Sequence, residues 1–247
     1  MKASAEQQAS LLDLQKHDTA LLQLSHRRNT LPQIAEVAEL EGKVASLNLR
    51  LVAIKTEISD TSLAATKAEN DVEQVVARAQ RDQQRLDSGA VSNPKDLEAL
   101  QHEIESLGKR QAELEDVELE IMEQLESARA VQAEIETELT DVQAQLLATT
   151  TIRDEEFAQI DALIAQETAS RNEIASLVAS DLLALYDKIR LDLGGVGAAL
   201  LHRGACQGCH ISMDATEIDR IRHLAIDEVI RCEECRRILI RTAESGL

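Results

Sequence analysis

Apolar residues recur at alternating steps of three and four along two long stretches of this chain, and no other property restricts its fold so strongly. In the first stretch the positions are Val37, Leu40, Val44, Leu47, Leu51, Ile54, Ile58, Thr61, Ala65, Ala68, Val72, Val75, Ala79, Asp82 and Leu86. Seven heptads of this kind exceed the three or four that separate a coiled coil from an ordinary amphipathic helix. The second stretch runs from Leu97 through Ile104, Leu114, Ile121, Leu125 and Ile135 to Leu146, with polar residues on the seam at Gln111, Glu118 and Gln132. Such residues either specify register or turn outward where the helix locally rotates.

Between the stretches lies Asp87-Ser88-Gly89-Ala90-Val91-Ser92-Asn93-Pro94-Lys95-Asp96. Gly89 suits a helix C-terminus, and Asn93 before Pro94 matches an N-cap followed by proline at the first helical position. So short a connection returns the second arm antiparallel to the first. Helix one, up to Leu86, and helix two, from Pro94 to about Ser176, are nearly equal in length, so the ends of the hairpin meet. Each arm of about 80 residues spans roughly 120 Å at 1.5 Å per residue, which predicts a rod. Pro32 interrupts the first arm, with Asn29 or Thr30 available to cap a new helix, and the β-branched run Thr149-Thr150-Thr151 weakens the second; a bend is expected near Pro32.

Composition agrees with long helices. One Phe, one Tyr and no Trp leave little aromatic surface for a globular core, while 44% of residues are hydrophobic and 29% charged. A formal charge of -19 repels phosphate backbones and anionic membranes over most of the surface. The segment from Val196 to Leu247 is different, with seven Arg against eight Asp and Glu. The N-terminus has no apolar core of a secretory signal, and no run approaches the ~18 apolar residues of a membrane span, so a cytoplasmic location is expected.

In a reducing compartment two CxxC pairs favour metal over disulfides. Cys206-Gln-Gly-Cys209 and Cys232-Glu-Glu-Cys235 are separated by 22 residues, and Asp214-Ala-Thr-Glu217 between them reads as a capping box before Ile218, Ile221 and Leu224 at helical spacing. Four thiolates suit one tetrahedral Zn²⁺, and a site filled by protein ligands stabilises a fold rather than activating water. No βαβ pattern flanks either pair, which argues against a thioredoxin-like redox site or an iron centre. His210, next to Cys209, is a weaker candidate for a ligand or for a role behind the ligands, and His202 and His223 are expected to be structural. Short strands fit Ala198–His202, Val229–Arg231 and Ile238–Arg241. Asp192-Leu-Gly-Gly-Val-Gly197 lacks the full phosphate-loop spacing and reads as a flexible connector.

The fold class expected is therefore mainly α: a long antiparallel coiled-coil hairpin over 1–180, its tip near 87–93, followed by a zinc ribbon domain with a helical lead-in over 181–247. The chain resembles bacterial FlgZ/CdsZ-like proteins, which join a coiled-coil hairpin to a C-terminal C4-type zinc ribbon. The likeness rests on Ser92-Asn-Pro-Lys-Asp-Leu-Glu-Ala-Leu-Gln-His-Glu-Ile104, on Tyr186-Asp-Lys-Ile-Arg190, on the CQGC knuckle and on CEECRRIL. The family carries glycine after the final cysteine, where this chain has Arg236. The resemblance implies a protein that binds other proteins, with members linked to an alternative sigma factor, to secretion machinery and in one case to messenger RNA.

Two functions follow as expectations. The first is a non-enzymatic zinc-binding adaptor or chaperone-like protein that binds protein partners through coil and ribbon, with Ser92, Asn93, Lys95 and Asp96 at the hairpin tip as contact candidates. The second is an RNA- or DNA-binding regulator acting through Arg203, Arg222, Arg231, Arg236, Arg237 and Arg241 of the ribbon. Glu233 and Glu234 inside the knuckle and the lack of stacking aromatics count against the second, and carboxylate pairing of these arginines is the simpler expectation. No nucleophile with a base partner stands out, so neither an enzyme nor a small-molecule substrate is expected, and no membrane partner.

Overall fold

The computed structural model describes residues 1–247. Five helices and four short strands follow in the order α1 (Ala5–Asn29), α2 (Pro32–Asp87), α3 (Pro94–Leu177), α4 (Ser180–Asp192), β1 (Ala198–His202), β2 (Ala205–Cys206), α5 (Ala215–His223), β3 (Ile230–Arg231) and β4 (Ile238–Ile240). The fold is mainly α, a long helical hairpin with a small C-terminal ribbon. No helix is long and apolar enough to cross a membrane. The chain forms two compact units, Ala35–Thr150 and the combination of Met1–Ile34 with Thr151–Leu247. These units divide the chain at other positions than the change from helical hairpin to ribbon, because the first helix and the end of α3 cluster with the ribbon.

In the unit Ala35–Thr150, α2 and α3 run antiparallel, and every seam position named above from Val37 to Leu86 is buried or half-buried. Leu47, Ile54, Ala128 and Ile135 form its buried centre, with Leu51, Ile58, Leu139 and Val142 packed around it. Each large aliphatic side chain so covered contributes about 1.5–3 kcal/mol. Gln111, Glu118 and Gln132 also stay on the half-buried stripe, so the helix does not turn them outward. Gln111 and Gln132 meet the polarity of the seam by donating to Glu115 (2.7 Å) and Glu136 (2.8 Å) one turn on. Exposed ion pairs such as Arg50–Glu138 and Lys55–Glu136 bridge the arms, each adding little. At the tip, Gly89 takes φ +67 and its N–H reaches the Leu86 carbonyl, while the Asn93 side chain accepts from the Lys95 N–H at 3.2 Å.

The first arm breaks at Thr30–Leu31. The expectation that Asn29 or Thr30 caps the new helix is corrected: Asn29 is the last residue of α1, and Thr30 closes that helix, its backbone N–H and its hydroxyl both donating to the His26 carbonyl. The run Thr149–Thr151 stays within α3. The inward positions there are Leu146, Thr149, Arg153, Phe157 and Ile160, so two steps of four follow one another. Such an insertion locally unwinds a heptad seam.

The second unit places α1 and α4 against the ribbon sheet, whose strand order is β2-β1-β4-β3. β1 pairs with β4 in parallel and with β2 antiparallel, and β3 pairs antiparallel with β4. Alternation along the strands gives the sheet two faces. Ala198, Ile238 and Ile240 join Leu11, Leu14, Val178, Leu182, Tyr186 and Ile189 in one core. Ala199, Leu201 and Leu239 join Cys206, Cys232, Ile221 and Ile230 in another, around the cysteines. The chain start lies along the ribbon: the Ala3 N–H donates to the Asp227 carbonyl and the Val229 N–H to the Met1 carbonyl.

Buried polar groups hold this assembly. Asp18, with its side chain 2% exposed, accepts from the Tyr186 hydroxyl at 2.7 Å and from Arg171 Nε at 3.1 Å, and Arg190 Nε lies 3.4 Å away. Arg171 also donates to Asp187 at 2.6 Å. Gln15 Oε1 accepts from the Gly197 N–H at 2.7 Å, and its Nε2 donates to the Gly195 carbonyl at 2.9 Å. The glycine run is therefore a packed turn and not the flexible connector expected from its composition. Gly197 is required there, because a Cβ would fall 2.8 Å from the Tyr186 carbonyl oxygen.

Candidate metal centre

Two strand ends bring the cysteine pairs together. β2 delivers Cys206 and β3 leads into Cys232, and the sheet holds the two knuckles side by side. In the first knuckle the His210 N–H donates to the Cys206 carbonyl at 2.7 Å, and in the second the Arg236 N–H donates to the Cys232 carbonyl at 2.9 Å. His210 (φ +60) and Arg236 (φ +64) both take the left-handed conformation that these turns impose. Arg236 thus adopts, without being glycine, the positive φ that glycine most readily supplies. A non-glycine residue there carries strain of about 1–2 kcal/mol, so Arg236→Gly is expected to raise the unfolding free energy of the zinc-loaded head by about 1 kcal/mol in chemical denaturation.

The four sulfurs lie within 4.8 Å of one another, with Cys206 Sγ to Cys235 Sγ at 3.8 Å and Cys209 Sγ to Cys232 Sγ at 3.9 Å. Tetrahedral coordination at a Zn–S distance of about 2.3 Å requires sulfurs about 3.8 Å apart, a spacing that these two pairs meet within a cluster whose members all lie within 4.8 Å. Cys206 and Cys232 are buried and Cys209 and Cys235 half-buried. Burial pushes the Cys206 thiol up to about 12 and raises Cys232 in the same sense. Burial opposes ionisation of Cys235 as well, but the backbone N–H and guanidinium of Arg237 outweigh it and bring that thiol down to about 7. The four cysteines would hold a dication as thiolates, giving up the protons that burial otherwise favours. His210 is exposed and stands outside the ligand group, His202 lies 3.4 Å from Glu244, and His223 sits beside Asp219.

Around the centre only half of the expected capping box forms: Asp214 Oδ1 accepts from the Glu217 N–H at 2.8 Å to open α5, but the Glu217 carboxylate turns to Arg220 and not back to the Asp214 N–H. Arg220 grips the Glu217 carboxylate through two nitrogens, each at 2.7 Å, and holds it below the usual carboxylate range. The six ribbon arginines do not form one free patch. Arg237 donates to the carbonyls of Val196, Gly208 and Leu193. Arg241 donates to those of Ile221, Leu224, Ala225, Ile226 and Glu228, closing the C-terminus of α5. Backbone carbonyls, not the carboxylates expected from composition, take up these two guanidinium groups. Arg231 donates to the Arg236 carbonyl and Arg222 to Asp219, while Arg203, Arg222, Arg231 and Arg236 keep exposed side chains.

At the hairpin tip an open groove of about 590 Å³ is lined in part by Arg78, Arg85, Val91, Ser92, Asn93 and Asp96. Asn93 and Asp96 share a hydrogen bond at 3.1 Å and serve the start of α3, whereas Ser92 and Lys95 are exposed. The residues that a reading of the sequence missed are Gln15, Asp18 and Arg171, whose only signal was their place on the apolar side of their helices.

Comparison with known proteins gives a consistent answer. Residues 14–194 match the CT398-like coiled coil hairpin domain, and residues 205–239 match the C4-type zinc ribbon domain. A protein of Mycobacterium tuberculosis is 36% identical over 241 residues, 98% of each chain. A solved structure from Mycobacterium smegmatis is 33% identical with a TM-score of 0.84, over 98% of this chain and all of the other. The structure of CT398 from Chlamydia trachomatis shares the fold at 16% identity, with a TM-score of 0.71 over 95% of this chain and 97% of that one. The ribbon match and the sulfur geometry together assign the four cysteines to one structural zinc ion.

Proposed function

The chain belongs to the CT398-like coiled-coil hairpin family, and from that premise we propose that it is a non-enzymatic cytoplasmic adaptor that binds partner proteins through its hairpin and its zinc ribbon. The closed zinc centre carries this reading. All four coordination positions are supplied by protein sulfurs, so the metal serves to hold a head in shape and offers a reacting molecule no place. Binding then falls to exposed surfaces. The tip supplies Ser92 and Lys95 beside an open groove, and the head supplies Ile211 and Ile226, 47% and 64% exposed. The nucleic-acid alternative loses support, since Arg237 and Arg241 spend their donors on carbonyls and Glu233 and Glu234 stand beside the second knuckle.

Crosslinking and mass spectrometry with the full-length, zinc-loaded chain tests the proposal. The expected result is protein partners crosslinked at Lys95 and at the head, with recovery lowered by Lys95→Glu. Recovery of nucleic acid alone, with affinity falling steeply as salt rises, would overturn it.

A further inference from the structure

The face of α2 turned away from α3 carries a second heptad seam. From Ala35 to Asn70 two of the three outward-facing heptad positions are exposed and uncharged throughout, in a chain of which 29% is charged, while the third carries Glu39, Asp60 and Lys67. Leu49, Val52 and Leu63 on this face are 74%, 65% and 70% exposed. Both threonine hydroxyls of this face are already satisfied: Thr56 donates to the Val52 carbonyl at 3.0 Å and Thr66 to that of Ser62 at 3.1 Å, so covering these two strands no donor. Gly42 lies on the same face, where an added Cβ would meet nothing of this chain within 4 Å. The chain's own packing does not explain a glycine inside a helix, whereas close approach of another backbone does.

We propose that this face pairs two copies of the chain through antiparallel α2 helices related by a two-fold axis between Arg50 and Leu51. In that register Leu49 meets Val52 of the second copy at the centre, Leu63 meets Ala38, and Ser59 meets Gly42, so each larger side chain faces a smaller one. Along one flank Asn48 meets Lys55 of the second copy, without opposing like charges, and along the other Glu39 lies between Asp60 and Lys67 of the second copy. A foreign helix would have no reason to match this internal symmetry of sizes. The overlap from Ala35 to Thr66 runs about 48 Å, and at a helix width of about 10–12 Å it covers about 1,000–1,200 Å² in total. That area is at the lower limit of specific interfaces, the class of weak and reversible association.

Sedimentation of the full-length, zinc-loaded chain tests the pairing. The wild type is expected to shift from monomer to dimer with concentration. Leu49→Glu and Val52→Lys should each weaken dimerisation at least tenfold at unchanged helicity, since both side chains are exposed in the monomer. The double variant should recover it in a salt-sensitive manner, because each introduced Glu then faces a Lys of the other copy. A wild type that stays monomeric even at millimolar concentration, a dimer indifferent to Leu49→Glu, no recovery in the double variant, or a monomer that takes up only a foreign helix would each overturn the proposal.

Discussion

Replacing Cys232 with serine is expected to release zinc and to unfold the head while the helices of residues 35–150 persist. Structural zinc in small domains contributes about 10–16 kcal/mol of folding free energy, more than a four-stranded sheet of two- to five-residue strands can supply from burial. The loss does not stop at the cysteines. Ala199 and Leu239 face the cysteine side of the sheet, whereas Ala198, Ile238 and Ile240 face Leu11, Leu14, Leu182 and Tyr186. Once β1 and β4 separate, α1 and α4 lose their cover. Hydrogen exchange should therefore rise across β1, β4, α4 and the first half of α1. The arms around Leu47, Ile54, Ala128 and Ile135 keep their own core and should stay protected, with most of the helical circular dichroism retained. A chelated protein whose β1 and β4 amides remain protected, or whose arms melt together with the head, would contradict this account.

Asp18→Ala is expected to destabilise the unit formed by residues 1–34 and 151–247 by about 3 kcal/mol, because it removes the buried acceptor of Arg171 and of the Tyr186 hydroxyl and leaves Arg171 and Arg190 only the more exposed Asp187 as counter-ion. Burial in the first place, and the hydrogen bond to Asp18 in the second, raise the Tyr186 phenol well above its ordinary value, so it remains a donor at any physiological pH. Tyr186→Phe leaves the ion pairs standing and should cost only about 1 kcal/mol. The contrast between the two variants in urea denaturation separates the charge network from a single hydrogen bond. Equal and small losses would mean that the carboxylate is solvated in solution and does not join the helices.

The Tyr186-Asp-Lys-Ile-Arg190 motif acquires a physical reason from this network. Tyr186 and Arg190 reach Asp18, and Asp187 takes the second hydrogen bond of Arg171, so one short helix ties α1, α3 and the ribbon together. Arg237 and Arg241 tie further segments of the head together. Each collects carbonyls left over at chain turns and at the end of α5, where an unpaired acceptor would be costly. Residues that look basic and available in a sequence are, in the folded head, backbone clamps.

The sequence by itself determined what depends on short repeats. Heptad spacing placed both arms and their seam, Gly89 and Asn93-Pro94 placed the turn, Asp214 opened α5, and two CxxC pairs determined the metal and its four ligands. Each of these is decided by neighbours within a turn or two of chain, through side-chain periodicity, backbone capping or a shared ion. Only the tertiary structure decided the rest. Asp18 and Gln15 sit in a helix where a polar residue ordinarily faces water, and their burial depends on partners more than 150 residues away. The parallel pairing of β1 with β4, the docking of Met1–Ala3 along residues 227–229 and the use of Arg237 and Arg241 all depend on where the chain returns, which spacing does not encode. The uncharged outer face of α2 was present in the letters, but it became an interaction surface only once the fold had shown which side of the helix α3 leaves uncovered.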